Sequence, residues 1–277
     1  MYGDTMDELL STIDQNSNIN SEIKETVKEC TKLIYIKLPK ALPLLLKNLI
    51  DVKITFDNYN FDRIASWYDG LNNEMFLNSS YVNKDNFKNI VIEELIHLSS
   101  REFQDCDRFR VGFRDGYTNL GLSLNEGMTA LLKLKVLDDD DVSVNGYNPD
   151  KDIIALLSTL FTFEKLEEMY FNSGLNELVD RYCEFTNSPD MTYILKNMDW
   201  DCNTRIKYAD YDNEFKDNYI ESLLFDLSNA NYQNKKQCYN VFLMITKILK
   251  NRYKADLPYN IKLNIEDSIN RIVGKLR

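Results

Sequence analysis

Apolar residues recur at helical spacing through most of the chain. Ile23, Val27, Cys30 and Ile34 fall at i, i+4, i+7 and i+11 with Lys and Glu between them, the pattern of a helix with one buried stripe. A helix over 5–14 and this one over 20–37 open the chain. Ser21 is the expected N-cap, with Lys24 where a full capping box would carry Glu. Pro39 and Pro43 break the run, and Leu44 to Ile50 predicts a further short helix. The period then shortens. Val52-Lys-Ile-Thr-Phe56 alternates like a strand. Ile64 to Tyr68 and Asn73 to Asn78 predict two more strands, separated by the turn signal Asp69-Gly70.

Helical spacing returns from about Asp85 to Phe103, and here Ile90-Val-Ile-Glu-Glu-Leu-Ile-His-Leu98 is apolar nearly all round. Such a helix is buried. Helices are further predicted over 125–137, 151–162, 164–172, 174–186, 213–229, 234–253 and 264–275, and the acidic stretch 138–149 is the least structured. With only 9 Gly and 5 Pro, a turn-rich all-β fold is disfavoured. The expected fold class is α+β, helix-dominated: a small N-terminal sheet packed on the buried helix, followed by a C-terminal helical bundle. The expected division is 1–137 and 138–277, either as two parts or as one continuous domain.

The chemistry gathers on the buried helix. Glu93 and His97 are four residues apart and share a face, with Glu94 one step round. In the H-E-x-x-H helix two histidines at this spacing hold zinc and the Glu between them is the general base. Here the first histidine is Glu93, and His97 is the only histidine in the chain. A Glu pair followed by His is ordinarily a solvated helix face. Burial argues against that reading, because ionisable groups in an apolar helix need partners.

Further on, Leu124-Asn-Glu-Gly127 is followed by another apolar run. Together these segments resemble the core of gluzincin-type zinc metallopeptidases, in which H-E-x-x-H on one helix is completed by a Glu on a second, commonly within N-E-G. They are also similar to a bacterial group reading HELIH…GF…GLNEGxTxLL. Against it stand Glu94 to His97, Gly112-Phe113 and Gly121 to Leu132. Trp67 to Asp69 and Phe76-Leu77 resemble the cleft-lining strand of such folds. The resemblance implies His97, Glu126 and, in place of the first histidine, Glu93 as metal ligands, with Glu94 as general base. Tyr117 and Arg114 are the nearest candidates in sequence for stabilising an oxyanion.

The change of ligand alters the expected chemistry. Two imidazoles and one carboxylate leave a divalent ion with net positive charge, whereas Glu93, His97 and Glu126 would neutralise it. Its bound water would be less acidic, and preference would tilt from Zn towards harder ions such as Mn, Fe or Mg. Without a metal, three carboxylates near one imidazole would need a cation, and Arg101, Arg108, Arg110 and Arg114 are close in sequence. Two functional expectations follow. One is a divergent metallohydrolase acting on a peptide or amide. The other is an inactive pseudo-peptidase that binds a peptide or protein partner.

Composition narrows the partners. Against 33 Lys+Arg stand 44 Asp+Glu, a net charge of −11, so nucleic acid is not an expected partner. No run approaches a membrane span, and the N-terminus lacks the regions of a signal peptide. The five cysteines are odd in number and widely spaced, as free thiols in a reducing compartment are. A cytoplasmic protein is expected. Asp141-x-Ser143-x-Asn145-Gly146 loosely follows a calcium loop, but Asp152 stands where a bidentate Glu is needed and Pro149 disrupts position nine. An exposed acidic loop is the better reading.

Overall fold

The computed structural model describes residues 6–58, 65–81, 86–105, 108–138, 149–207, 218–252 and 259–276. Twelve α-helices and six short strands are found among them, so the chain is helix-dominated α+β. It divides into two compact units. The first comprises residues 1–119, 129–144 and 170–174, and the second residues 120–128, 145–169 and 175–277.

In the first unit, α1 (Met6–Gln15), α2 (Lys24–Lys37) and α3 (Leu42–Leu49) precede strand β1 (Lys53–Asp57). The expected cap at Ser21 is not used. The helix begins at Lys24 with Ile23 at the N-cap position and no side-chain cap, while the Asn20 side chain accepts from Glu22 N. Strands β2 (Ser66–Asp69) and β3 (Glu74–Asn78) complete a mixed sheet with β3 in the centre, parallel to β1 and antiparallel to β2. The β2–β3 turn is longer than Asp69-Gly70 alone. It runs over 70–73, with Asp69 accepting from Leu71 N and Asn72 Nδ2 and Asn73 at φ 54°. Asparagine tolerates that left-handed backbone, and the buried Asn73 side chain ties the turn to Asn48 O and the Asp51 carboxylate.

Helix α4 (Phe87–Ser99) packs against α2, α3 and β2. Val91, Ile92, Leu95, Ile96 and Leu98 are fully buried, each contributing roughly 1.5–3 kcal/mol relative to exposure. The expected continuation to Phe103 does not occur, because α4 is closed at Ser99 by local donors. The hydroxyls of Ser99 and Ser100 donate to the carbonyls of Ile96 and His97, and Asn48 Nδ2 donates to Leu98 O. These carbonyls are the acceptors a helix end must satisfy. The chain then enters a second small sheet of β4 (Arg101–Asp105), β5 (Arg108–Val111) and β6 (Arg114–Asp115).

Helix α5 (Leu122–Leu137) belongs to the second unit up to Met128 and to the first from Thr129. The remaining helices are α6 (Pro149–Phe161), α7 (Phe163–Asn172), α8 (Gly174–Thr186), α9 (Thr192–Lys207), α10 (Asn218–Asn229), α11 (Lys235–Arg252) and α12 (Tyr259–Gly274). Apart from α7 residues 170–172 and Gly174 they lie in the second unit, where α6 pairs with α11 and α10 with α9 and α12. The helix over 192–207 has no counterpart in the periodicity reading. Most of the expected acidic loop, 139–148, lies outside the described residues. Asp152 is in the first turn of α6 and pairs with Lys247 at 3.5 Å. No helix among the described residues is long and apolar enough to cross a membrane.

Candidate functional site

Helix α4 carries Glu93, Glu94 and His97 as the spacing predicts, and all three are withdrawn from water to different degrees. Glu94 and His97 are buried at 5% and 7% exposure, and Glu93 is half-buried. Each meets a specific group within the first unit. Ser66 of β2 donates its hydroxyl to Glu94 Oε1 at 2.6 Å. The Glu93 carboxylate accepts from the Lys133 ammonium on α5. Thr129 Oγ1, one turn before Lys133, lies 3.4 Å from His97 Nδ1.

A buried phenol extends this polar line. Tyr170 is fully buried, with its hydroxyl 2.7 Å from Thr129 Oγ1 and 3.4 Å from Ser100 Oγ. Its ring meets Phe113 edge-on at 5.4 Å. Arg110 fixes the Tyr170 segment by donating to the carbonyls of Tyr170 and Phe171 and, through Nε, to Glu102. Gly174 follows at φ +70°, where a Cβ would stand 2.9 Å from Arg110 Cδ, so both backbone and space require glycine. His97 therefore stands at the end of a hydroxyl relay, Thr129–Tyr170–Ser100, supported by an arginine.

The arginines considered from sequence have other roles. Arg101 holds the β2–β3 turn through Gly70 O and Leu71 O. Arg108 lies over the Tyr117 ring at 5.9 Å, and Arg114 donates to Asn119. Tyr117 is 72% exposed. Among the described residues no hydrogen bond or ion pair joins Tyr117 or Arg114 to Glu94.

Glu126 lies on the same face of α5 as Thr129 and Lys133, at spacings of three and seven residues. It belongs to the second unit, where it contributes with Asp150 to the field around Cys202. Burial is the main cause that pushes that thiol's pKa up. The Asn125-Glu126-Gly127 segment is built firmly there. Asp199 of α9 accepts from Gly121 N at 2.7 Å and Ser123 N at 2.9 Å, capping α5 with a carboxylate where helix N-termini favour anions. Ser123 Oγ donates to Asp150 Oδ1 at 2.5 Å. Arg205 bridges Asp150 at 2.8 Å and Asp201 at 3.4 Å. At Gly127 a Cβ would fall 2.4 Å from Asp150 O, so the glycine of this motif permits close approach of α6.

Lys133 engages the Glu93 carboxylate, and among the described residues no three His, Cys, Asp or Glu side chains form a group that could hold an ion. Lys133, Thr129, Ser66 and Tyr170 are partners that the sequence reading missed. For the first two a signal exists, because they share a helical face with Glu126. Comparison with family models, with curated proteins and with solved structures finds no match for this chain.

Proposed function

We propose that the chain is a peptidase-like binding module that does not use a metal, in which Lys133 supplies the positive charge a divalent ion would bring. One observation carries this reading: the Lys133 ammonium donates to Glu93, the residue at the position of the missing histidine. With that carboxylate paired, Glu94 Oε1 accepting from Ser66 and His97 beside Thr129, each of the three ionisable side chains on α4 has at least one protein partner. Such pairing is what makes buried charge tolerable without an ion. The peptidase-like framework then serves to hold a peptide or protein rather than to activate water.

Elemental analysis of protein purified without chelator, before and after adding back Zn, Mn and Fe, tests the proposal. Wild type is expected to carry far less than one ion per chain. The double substitution Glu93→His with Lys133→Ala is expected to gain zinc, since it restores the imidazole and removes the competing cation. Stoichiometric metal in wild type, or a peptide hydrolysis abolished by Glu94→Gln, would establish the altered-site hydrolase instead.

A further inference from the structure

The second unit contains a groove of about 510 Å³ bordered by α9, α10 and α12, within the size range of about 300–1,000 Å³ typical of ligand sites. Its rim is aromatic: Tyr193 and Phe225 are 55% and 56% exposed although both line the cavity. Its charge is one-sided. Among the described residues that line it, Asp190, Glu221, Asp226 and Asp267 stand with Arg271, which is paired with Asp267 at 3.4 Å, and the charge of Lys196 on α9 lies near Asp190.

Asp226 is the informative member. Its carboxylate sits half-buried on the groove wall and accepts from the Tyr182 hydroxyl at 3.1 Å. Its hydrogen-bond donors, Tyr182 and Ser188, are neutral, and burial pushes its pKa up. A desolvated carboxylate next to exposed aromatic faces is the combination that recognises an ammonium or guanidinium, by charge on one side and ring quadrupole on the other. The groove is open along its length and carries a net excess of carboxylates, which suits a basic segment.

We infer that this groove docks a basic peptide segment, seating a Lys or Arg side chain against Asp226 between Tyr193 and Phe225, with neighbouring residues lying along Asp190 and Glu221. The inference goes beyond the binding proposed for the α4 region and rests on second-unit residues alone, so either can fail without the other.

Fluorescence anisotropy of the full chain with labelled Ala-Lys-Phe-Lys-Lys-Ala in 150 mM salt tests it. Saturable binding in the range of tens of micromolar is expected, a usual strength for a short peptide. It should weaken at least fivefold in Asp226→Asn and in Phe225→Ala, and be lost when the peptide lysines are acetylated. Glu25→Gln, an exposed charge removed from the first unit, should leave it unchanged. Phe225 is exposed, so its variant folds and keeps the test decisive if Asp226→Asn does not. Absence of saturable binding overturns the inference, as does equal weakening by Glu25→Gln, which would mean diffuse attraction to an acidic protein. Competition by spermine at equal or lower concentration than unlabelled peptide would also overturn it, assigning the groove to a small polyamine.

Discussion

Two buried polar clusters solve the same problem by different means. On α4, three ionisable residues are answered mainly one by one: an ammonium for Glu93, a hydroxyl for Glu94, and for His97 a hydroxyl that is itself tied to Tyr170. Around the start of α5, Asp199 is answered by backbone N–H groups, and Asp150 and Asp201 share one arginine. The α5 cluster is therefore the more interdependent, because one guanidinium serves two carboxylates at once. A pairwise arrangement fails one residue at a time. This difference teaches which cluster carries the fold and which can be re-engineered for ligand chemistry.

The sharpest way to break the comparison is at Arg205. Replacing it with Met leaves Asp150, which is 4% exposed, without its guanidinium, and is expected to cost about 3 kcal/mol by denaturant unfolding. A loss below about 1 kcal/mol would show that the α5 cluster is no more interdependent than an exposed pair. At α4 the matching substitution, Lys133→Met, is expected to cost only about 1 kcal/mol, since the pair is partly open to water and the lysine stem is replaced by an apolar one. Equal losses at the two sites would erase the distinction.

The smallest effect is one of pH at Asp226. Because its folded pKa is raised, the folded protein holds that proton more tightly than the unfolded chain. The group therefore favours the fold at acid pH and loses that contribution as pH rises through the folded pKa. Asp226→Asn should melt slightly higher than wild type at pH 7, with the difference vanishing once the pH falls below the ordinary value of 3.8. Melting curves at both pH values check the sign.

Much of the fold was legible because burial imposes periodicity. The stripe of α2, the all-round apolar character of α4 and the antiparallel pair β2–β3 each follow from residue spacing. What stayed hidden depends on partners distant in sequence. The parallel pairing of β1 with β3 leaves no local mark. Arg101 to Phe103 reads as a continuation of α4 because the serines and Asn48 that end the helix act through hydrogen bonds, not hydrophobic pattern. Helix α9 is masked by the polar residues it buries, Asp199 and Asp201 among them. At the site, Glu93, Glu94 and His97 were legible as a set of buried polar groups. Their partners were harder to read, since a lysine seven residues beyond Glu126 looks like any solvated lysine until α4 stands opposite.

The single histidine has a practical consequence. A chain with one imidazole gives one set of ring resonances, so its magnetic resonance signals need no assignment by mutation. Because His97 Nδ1 lies beside Thr129 in the same polar line as Tyr170, its nitrogen shifts would report tautomer, metal entry or a disturbance of the relay directly. The residue that once looked like half of a missing pair is thereby a natural isotope-edited reporter of its own surroundings.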